Sequence, residues 1–269
     1  MSFNFDLYVA CQSWLHRVDP RVKLVFVFLA TVVLLMFKNL WVMLAALGAL
    51  VALIFSAGVP RERVGWVCRA MLPLNIMIPV LWVLFYPEGE PTIFQFLFVR
   101  VTTFSLAKGI TLALRLDAIA FAWFLWLFTT AQASLVRSLV KLGLPYNWGL
   151  VLALSLRYIP TFYSLFGVVS DAQKSRGLDL SEGRWVARLR AYMPILIAML
   201  ISALRSAEKL GRALESRALG LPGVERTAFR EIRFRALDYA YLAIIAAIFV
   251  SLVLLRWRYG FGVHPIHLF

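Results

Sequence analysis

Long apolar runs constrain this sequence most, because each is long enough to cross a lipid bilayer. A bilayer core about 30 Å thick is crossed by roughly 17–25 helical residues. Five runs come close to this length: 22–37, 40–57, 70–86, 107–130 and 237–255. Apolar residues make up 62% of the chain, against about 45–50% in soluble domains, and one core cannot bury that surplus. The sequence therefore predicts an all-α integral membrane protein with about five transmembrane helices.

The charges between these runs predict the orientation of the chain. The loop between the second and third runs contains Arg61 and Arg63, whereas the loop 87–91 contains only Glu88 and Glu90 as charged residues. Because Lys and Arg are retained on the cytoplasmic side, the N-terminus is expected inside and the Glu88 loop outside. This topology, with contacts to membrane lipids, accounts for the net charge of +14. No nucleic acid partner is therefore predicted.

A basic region follows the fourth run. Residues 134–238 contain 16 Lys and Arg against 8 Asp and Glu, which predicts a cytoplasmic location. The run 148–169 is apolar enough for a span, but inserting Arg157 at its middle would cost about 2.5–3.5 kcal/mol. We therefore expect a long amphipathic helix at the inner leaflet. Four arginines at the end of the region are expected to anchor anionic lipids: Arg226, Arg230, Arg233 and Arg235.

These features divide the chain into three parts. Residues 1–130 form an N-terminal transmembrane block, residues 131–236 a cytoplasmic helical region, and residues 237–269 a C-terminal transmembrane helix with its tail. With five spans and the N-terminus inside, the tail, residues 256–269, is expected outside. Arg256 and Arg258 favour the opposite side by the same charge rule.

The sequence lacks the motifs of common catalytic and metal sites. The phosphate-binding loop, His-Glu-x-x-His and paired Cys-x-x-Cys are absent. His264 and His267 have no acidic neighbour in the sequence, His16 is isolated, and Cys11 and Cys68 have no second ligand at a metal-binding spacing. We therefore predict no catalytic residue, no metal site and no cofactor.

Two charges lie inside the fourth run. Arg115 and Asp117 are two residues apart, so on a helix they point about 200° away from each other and cannot pair directly. Charges inside a membrane usually pair with groups on neighbouring helices. This interpretation is favoured over a proton relay, which stays open.

The basic region contains an internal repeat. Ser175-Arg176-Gly177-Leu178 recurs 41 residues later as Ser216-Arg217-Ala218-Leu219. A Tyr-x-Pro precedes each copy, at 158–160 and 192–194, which suits the first turn of a helix or a kink within one. A single arginine near a helix C-terminus commonly offsets the helix dipole. Two copies of the motif favour a functional role over that explanation.

At these residues the chain resembles the T component, the transmembrane scaffold, of energy-coupling factor transporters (the EcfT, CbiQ and BioN family). Members carry an Ala-Arg-x motif at the end of each of two long cytoplasmic coupling helices. The matching positions here are Ser175-Arg176-Gly177 and Ser216-Arg217-Ala218, with Ser in place of Ala. The resemblance extends over nearly the whole chain, including Gly143-Leu144-Pro145 and an Arg-Tyr-x-Pro at 157–160.

The resemblance implies a non-catalytic, multi-pass subunit of an ATP-driven transporter for vitamin or metal uptake in the cell membrane. Residues 131–236 would then be the cytoplasmic coupling-helix region. The implied partners are two ABC-type ATPase subunits, each receiving one arginine in a groove, and a substrate-binding membrane S component. An alternative is a membrane-embedded enzyme such as a lipid or prenyl transferase, although the Asp-x-x-Asp cluster of such enzymes is absent. A secondary transporter would need a substrate site between inverted repeats of spans, whereas this repeat is cytoplasmic.

Overall fold

The computed structural model describes residues 8–9, 11, 13–86, 92–96, 99–178, 185–219 and 234–259. This part of the chain is almost entirely helical, which confirms the predicted all-α membrane class. The helices in chain order are α1 (Trp14–Arg17), α2 (Pro20–Met36), α3 (Leu40–Ser56), α4 (Arg61–Phe85), α5 (Thr103–Thr129), α6 (Gln132–Lys141), α7 (Tyr146–Lys174), α8 (Trp185–Ala191), α9 (Met193–Glu215) and α10 (Ala236–Tyr259).

One short antiparallel hairpin, which the sequence analysis did not predict, interrupts the helical chain between α4 and α5. Its strands are β1 (Thr92–Phe96) and β2 (Val99–Thr102), with Thr92 opposite Thr102 and Phe96 opposite Val99.

Five stretches of the described chain are long and apolar enough to cross a membrane. Three are α4, α5 and residues 236–258 of α10, which correspond to predicted spans. The other two, α7 and residues 188–215, lie in the region predicted to be cytoplasmic. The predicted runs 22–37 and 40–57 form α2 and α3, which have 17 residues each and are therefore about 25 Å long. The predicted number of five long apolar helices is thus confirmed. Two of the five are different helices, because α7 and residues 188–215 take the places predicted for α2 and α3.

Capping residues define the starts of α2 and α3. The Asp19 side chain accepts a hydrogen bond from the Arg21 backbone N–H at 2.9 Å, and Pro20 occupies the first helical position. The Asn39 side chain accepts from the backbone N–H groups of Trp41 and Val42 at 2.9 and 3.3 Å. Such side-chain acceptors satisfy N–H groups that have no partner within the helix, so α2 and α3 begin at these residues.

The chain divides into two compact units, residues 1–144 with 232–269, and residues 145–231. Helix α5 is central to the first unit and packs against α2, α3 and α4. Its buried residues include Ala118, Phe121, Ala122 and Leu125, whose spacing places them on one face of a helix. Gly109 allows α4 to approach, because a Cβ there would lie 2.8 Å from the Cα of Pro79.

Helices α2 and α10 run parallel in the first unit. At their N-terminal ends the Asp19 backbone N–H donates to Asp238 Oδ1 at 3.1 Å. At their C-terminal ends Arg256 donates to the carbonyl oxygen of Met36, and its guanidinium lies over the Phe37 ring at 5.9 Å. Both ends of the two helices are therefore joined by specific polar contacts.

The charges inside α5 are paired with neighbouring segments, as the sequence predicted. Asp117 accepts a hydrogen bond from the Asn75 side chain of α4 at 2.8 Å. Arg115 donates to the carbonyl oxygen of Phe37, at the end of α2, at 2.6 Å. The two side chains thus hold α5 to two different segments of the first unit.

The second unit consists of α7, α8 and α9, with α7 packed against α9. The prediction that this region is helical is confirmed for its described residues. Pro160 lies inside α7, whereas Pro194 lies in the first turn of α9. Among the described residues of this unit, only Gly149, Ser170 and Ile195 are buried. Its large apolar side chains are mostly exposed, including Trp148, Val168, Trp185, Leu200 and Leu204.

Candidate functional site

Helix α7 ends in a hydrogen-bonded turn that contains the first Ser-Arg motif. Gly177 has a φ of +88° and its backbone N–H donates to the carbonyl oxygen of Lys174 at 2.9 Å. The Leu178 N–H donates to the Gln173 carbonyl oxygen at 3.1 Å. This pair of bonds is the Schellman arrangement, which satisfies helix-end carbonyl groups and turns the chain away from the helix axis.

Helix α9 ends in the same turn, at the second motif. Ala218 has a φ of +58°, and its N–H donates to the Glu215 carbonyl oxygen at 2.9 Å. The Leu219 N–H donates to the Leu214 carbonyl oxygen at 3.0 Å. The structure therefore gives both copies of the sequence repeat the same backbone hydrogen bonds.

The arginine of each motif lies between the end of the helix and the residue of positive φ. The backbone N–H of Arg176 donates to Gln173 at 3.0 Å, and that of Arg217 donates to Leu214 at 3.1 Å. Both arginine side chains are exposed, whereas the following leucines, Leu178 and Leu219, are half-buried. Across the described ranges, neither guanidinium has a hydrogen bond or an ion pair within the chain. Each helix therefore presents a free five-donor fork at its end.

The serines of the motifs bond to their own helices. Ser175 Oγ donates to the carbonyl oxygen of Asp171 at 3.0 Å, and Ser216 Oγ donates to that of Ala213 at 3.0 Å. The Asp171 carbonyl oxygen thus accepts from both the backbone N–H and the hydroxyl of Ser175, each at 3.0 Å. The hydroxyl that Ser adds relative to Ala is thus used within each motif.

Ala218 is the one non-glycine residue with positive φ in the described chain. Three other helices end with a glycine in this conformation, at Gly58, Gly143 and Gly177. An L residue with a side chain pays about 1–2 kcal/mol in the left-handed region. The second motif therefore keeps the geometry of the first at a conformational cost, which indicates that the surrounding turn imposes it.

The other candidate residues do not form a site in the described chain. No group of three or more metal-ligating side chains occurs among the residues that the structure describes, and His264 and His267 lie outside those residues. Cys11 Sγ lies 3.4 Å from the Gly58 carbonyl oxygen, and Cys68 is exposed. Of the four arginines predicted to bind lipids, only Arg235 is described.

His16 has a structural role near the start of the described chain. Burial lowers the pKa of its imidazole below the usual value, so the ring is neutral at pH 7. Because a carbonyl oxygen can only accept, Nε2 donates to Val9 at 2.9 Å, and Nδ1 accepts from the Ser13 hydroxyl at 2.7 Å. The Val9 N–H in turn donates to the Phe128 carbonyl oxygen at 3.0 Å, which attaches this segment to the end of α5.

Comparison with known proteins relates this chain to a transporter family. The family of cobalt transport proteins named CbiQ matches residues 11–223, a range that includes both Ser-Arg motifs. The energy-coupling factor transporter transmembrane protein EcfT of Listeria innocua is 32% identical over 260 residues, which cover 93% of this chain and 96% of the relative. The EcfT of Lactococcus lactis is 30% identical over 264 residues, covering 93% and 96% of the two chains. The EcfT of Acidaminococcus fermentans is 30% identical over 264 residues, covering 93% and 95%.

Proposed function

The chain belongs to the CbiQ family of cobalt transport proteins, and from this premise we propose that it links ATP hydrolysis by two ABC-type subunits to a substrate-binding membrane subunit. As a family member it is a multi-pass cell-membrane protein and the transmembrane component of an energy-coupling factor transporter. The proposed cargo is a vitamin or a transition-metal ion, selected by the substrate-binding subunit.

The matching ends of α7 and α9 carry this proposal. Two long helices end in turns with the same hydrogen bonds, and each turn presents an exposed arginine that has no partner within the described chain. A guanidinium binds a carboxylate through two parallel hydrogen bonds, or binds the carbonyl groups at a helix end. Two such arginines suit two copies of an ATPase, each receiving one arginine in a groove.

The helix-end turns would allow each arginine to transmit movement of a bound ATPase to its helix. The Schellman bonds fix the backbone on both sides of Arg176 and Arg217, so a force on the guanidinium is transmitted to the helix and is not absorbed by the turn. The exposed apolar side chains of α7 and α9 supply a surface on which a membrane-embedded partner can pack. Movement of the ATPases would then displace both helices and, through them, the substrate-binding subunit.

Substitution of the two arginines tests this function. Removing one partner of a desolvated charge pair typically costs about 2–5 kcal/mol, which is more than tenfold in affinity. Arg176→Ala and Arg217→Ala should each lower transport, with part of each loss masked because the ATPases bind at two sites. The double substitution should abolish co-purification of the ATPases and transport. Lys at both positions should restore only part of the activity, because it keeps the charge but loses the fork.

Arg205→Ala provides the matched control. Arg205 is also exposed and lies on α9, ten or so residues before its end, so its substitution removes the same charge without touching the turn. Transport and ATPase co-purification should stay at the wild-type level. The proposal is wrong if the double variant inserts normally, retains its ATPases and transports at the wild-type rate. Saturable ATP binding by the purified chain alone would also contradict it.

A further inference from the structure

A cleft between α1 and the start of α10 combines cations with aromatic rings. It has a volume of about 420 Å³, and its polar lining comprises Arg17, Arg235 and Asp238. Trp14 and Tyr241 line it as well, with their ring centroids 6.2 Å apart. All of these residues belong to the first unit, so the cleft is separate from the two helix-end motifs.

The cleft has an excess of positive charge. Asp238 is buried, and its two oxygens accept the backbone N–H groups of Asp19 and Arg235 at 3.1 and 2.9 Å. Within the described ranges, neither Arg17 nor Arg235 forms an ion pair. The adjacent Arg21 packs over the Phe234 ring at 5.1 Å and has two buried guanidinium nitrogens without a hydrogen-bond partner. Arg17, Arg21 and Arg235 thus outnumber the carboxylates of Asp19 and Asp238. Three of the four carboxylate oxygens accept backbone N–H groups, and the fourth, Asp19 Oδ2, is buried without a hydrogen-bond partner.

An apolar cavity adjoins the cleft. The two share Trp14, Val18 and Tyr241 as lining residues, and the second cavity has a volume of about 240 Å³. Lys23 lines this cavity, and its ammonium group donates to the Thr129 carbonyl oxygen at 2.9 Å. The rest of the lining is mainly hydrocarbon or aromatic, including Val22, Phe26, Leu125, Ile244 and Ile245.

We propose that the cleft and this cavity together bind one anionic glycerophospholipid of the inner leaflet. The phosphate lies between Arg17 and Arg235, and an acyl chain enters the apolar cavity. Trp14 and Tyr241 line both cavities, and Trp and Tyr are the residues that concentrate at the headgroup level of membrane proteins. A soluble phosphate ester would leave the apolar cavity empty, whereas a zwitterionic lipid would bring its own cation against the arginines. Charge and shape together therefore favour an anionic lipid.

Lipid-dependent thermal unfolding tests this site. The purified chain in an uncharged detergent is titrated with phosphatidylglycerol, with phosphatidylethanolamine and with glycerol 3-phosphate. Only phosphatidylglycerol should raise the unfolding temperature saturably, because a ligand that binds the folded state stabilises it by mass action. Since each interfacial cation contributes about 1 kcal/mol, Arg17→Gln with Arg235→Gln should weaken the apparent affinity about 30-fold.

Arg61→Gln with Arg69→Gln is the matched control, because both residues are exposed on α4 and the variant loses the same two charges. Its apparent affinity should stay within about twofold of wild type. An equal loss in the control, wild-type affinity in the Arg17 and Arg235 variant, or an equal response to phosphatidylethanolamine or glycerol 3-phosphate would each overturn the proposal.

A second variant covers the case in which the double substitution itself perturbs folding. Ile244→Trp fills the apolar cavity from a half-exposed position and keeps both arginines. Native mass spectrometry of this variant should show at least tenfold less retained phosphatidylglycerol than wild type. Retention at the wild-type level would overturn the assignment of the apolar cavity to an acyl chain.

Discussion

At the scale of single residues, Ala218 bears a conformational cost that its counterpart Gly177 does not. Both have positive φ and both donate the same hydrogen bond within the turn. A Cβ added at Gly177 would meet nothing within 4 Å, so the cost of a side chain there comes from the backbone alone. The two motifs therefore allow a pair of substitutions with opposite expected effects.

Gly177→Ala should destabilise the end of α7 by about 1 kcal/mol, whereas Ala218→Gly should stabilise the end of α9 by about 0.5–1 kcal/mol after the entropy lost to glycine is subtracted. Amide hydrogen exchange measures both effects. Protection of the Leu178 N–H, which donates to Gln173, should fall about fivefold in the first variant. Protection of the Leu219 N–H should rise in the second.

Gly167→Ala is the control for this pair, because Gly167 lies inside α7 with nothing within 4 Å of an added Cβ. Here the same substitution should stabilise the helix by up to about 1 kcal/mol, since alanine has the higher helix propensity. If Gly177→Ala and Gly167→Ala change protection in the same direction, the left-handed turn at Gly177 does not form in solution.

The sequence predicted those residue-scale features that depend on the type of side chain. The repeated Ser-Arg motif identified both helix ends, and Gly177 suits a left-handed turn. Ala218 offers no such signal, so its positive φ could not be predicted. Pairing of Arg115 and Asp117 with neighbouring segments was predicted, but the acceptor of Arg115 is the backbone carbonyl group of Phe37, which any residue would provide.

At the scale of elements, α7 and α9 differ from α5 in the number of helices that pack against them. Helix α5 is packed by three neighbouring helices, whereas α7 and α9 have mostly each other. Average hydropathy could not distinguish the packed helix α5 from the exposed helix α7, because α7 is also apolar enough to qualify as a span although it contains Arg157. The hairpin was also missed, although its Thr92–Phe96 and Val99–Thr102 segments are rich in β-branched and aromatic residues.

Limited proteolysis of the purified chain should therefore begin in the second unit. Arg188 and Arg190 are exposed on α8, so trypsin should cleave there well before it reaches Arg115 within the packed first unit. The proposed ATPase subunits should slow this cleavage at least tenfold when they are bound, because they would cover and restrain α7 to α9. The Arg176→Ala, Arg217→Ala variant should lose that protection. Equal cleavage rates with and without ATPases would show that the second unit does not need its partners for order.

At the scale of the whole molecule, the parallel arrangement of α2 and α10 bears on membrane topology. Contacts join Asp19 to Asp238 at one end of the pair and Met36 to Arg256 at the other. If α2 begins at the cytoplasmic face, α10 ends on the outer face. Arg256 opposed this assignment in the sequence, but its guanidinium binds the C-terminal end of α2, where the helix dipole favours a cation. Its charge therefore has a structural explanation.

Residues 260–269 should accordingly lie outside the cell. A protease added to intact cells should remove an epitope tag placed after Phe269, whereas a tag before Met1 should stay intact until the cells are opened. The division into residues 1–130, 131–236 and 237–269 stays a prediction, and the same tags inserted after residue 178 would test its cytoplasmic part. Cleavage of the C-terminal tag only from the cytoplasmic face would contradict the parallel assignment of α2 and α10.

The contact between Asp19 and Asp238 also sets an order of events during synthesis. The two residues are 219 positions apart, so at about 5–20 residues per second the ribosome needs roughly 10–45 s to make the second after the first. Throughout that interval α2 lacks its partner at both ends. A transcript cut short before α10 yields a chain that cannot complete this pairing. Helix α2 therefore completes its end-to-end pairing only after α10 has been made, late in the synthesis of the part of the chain that the structure describes.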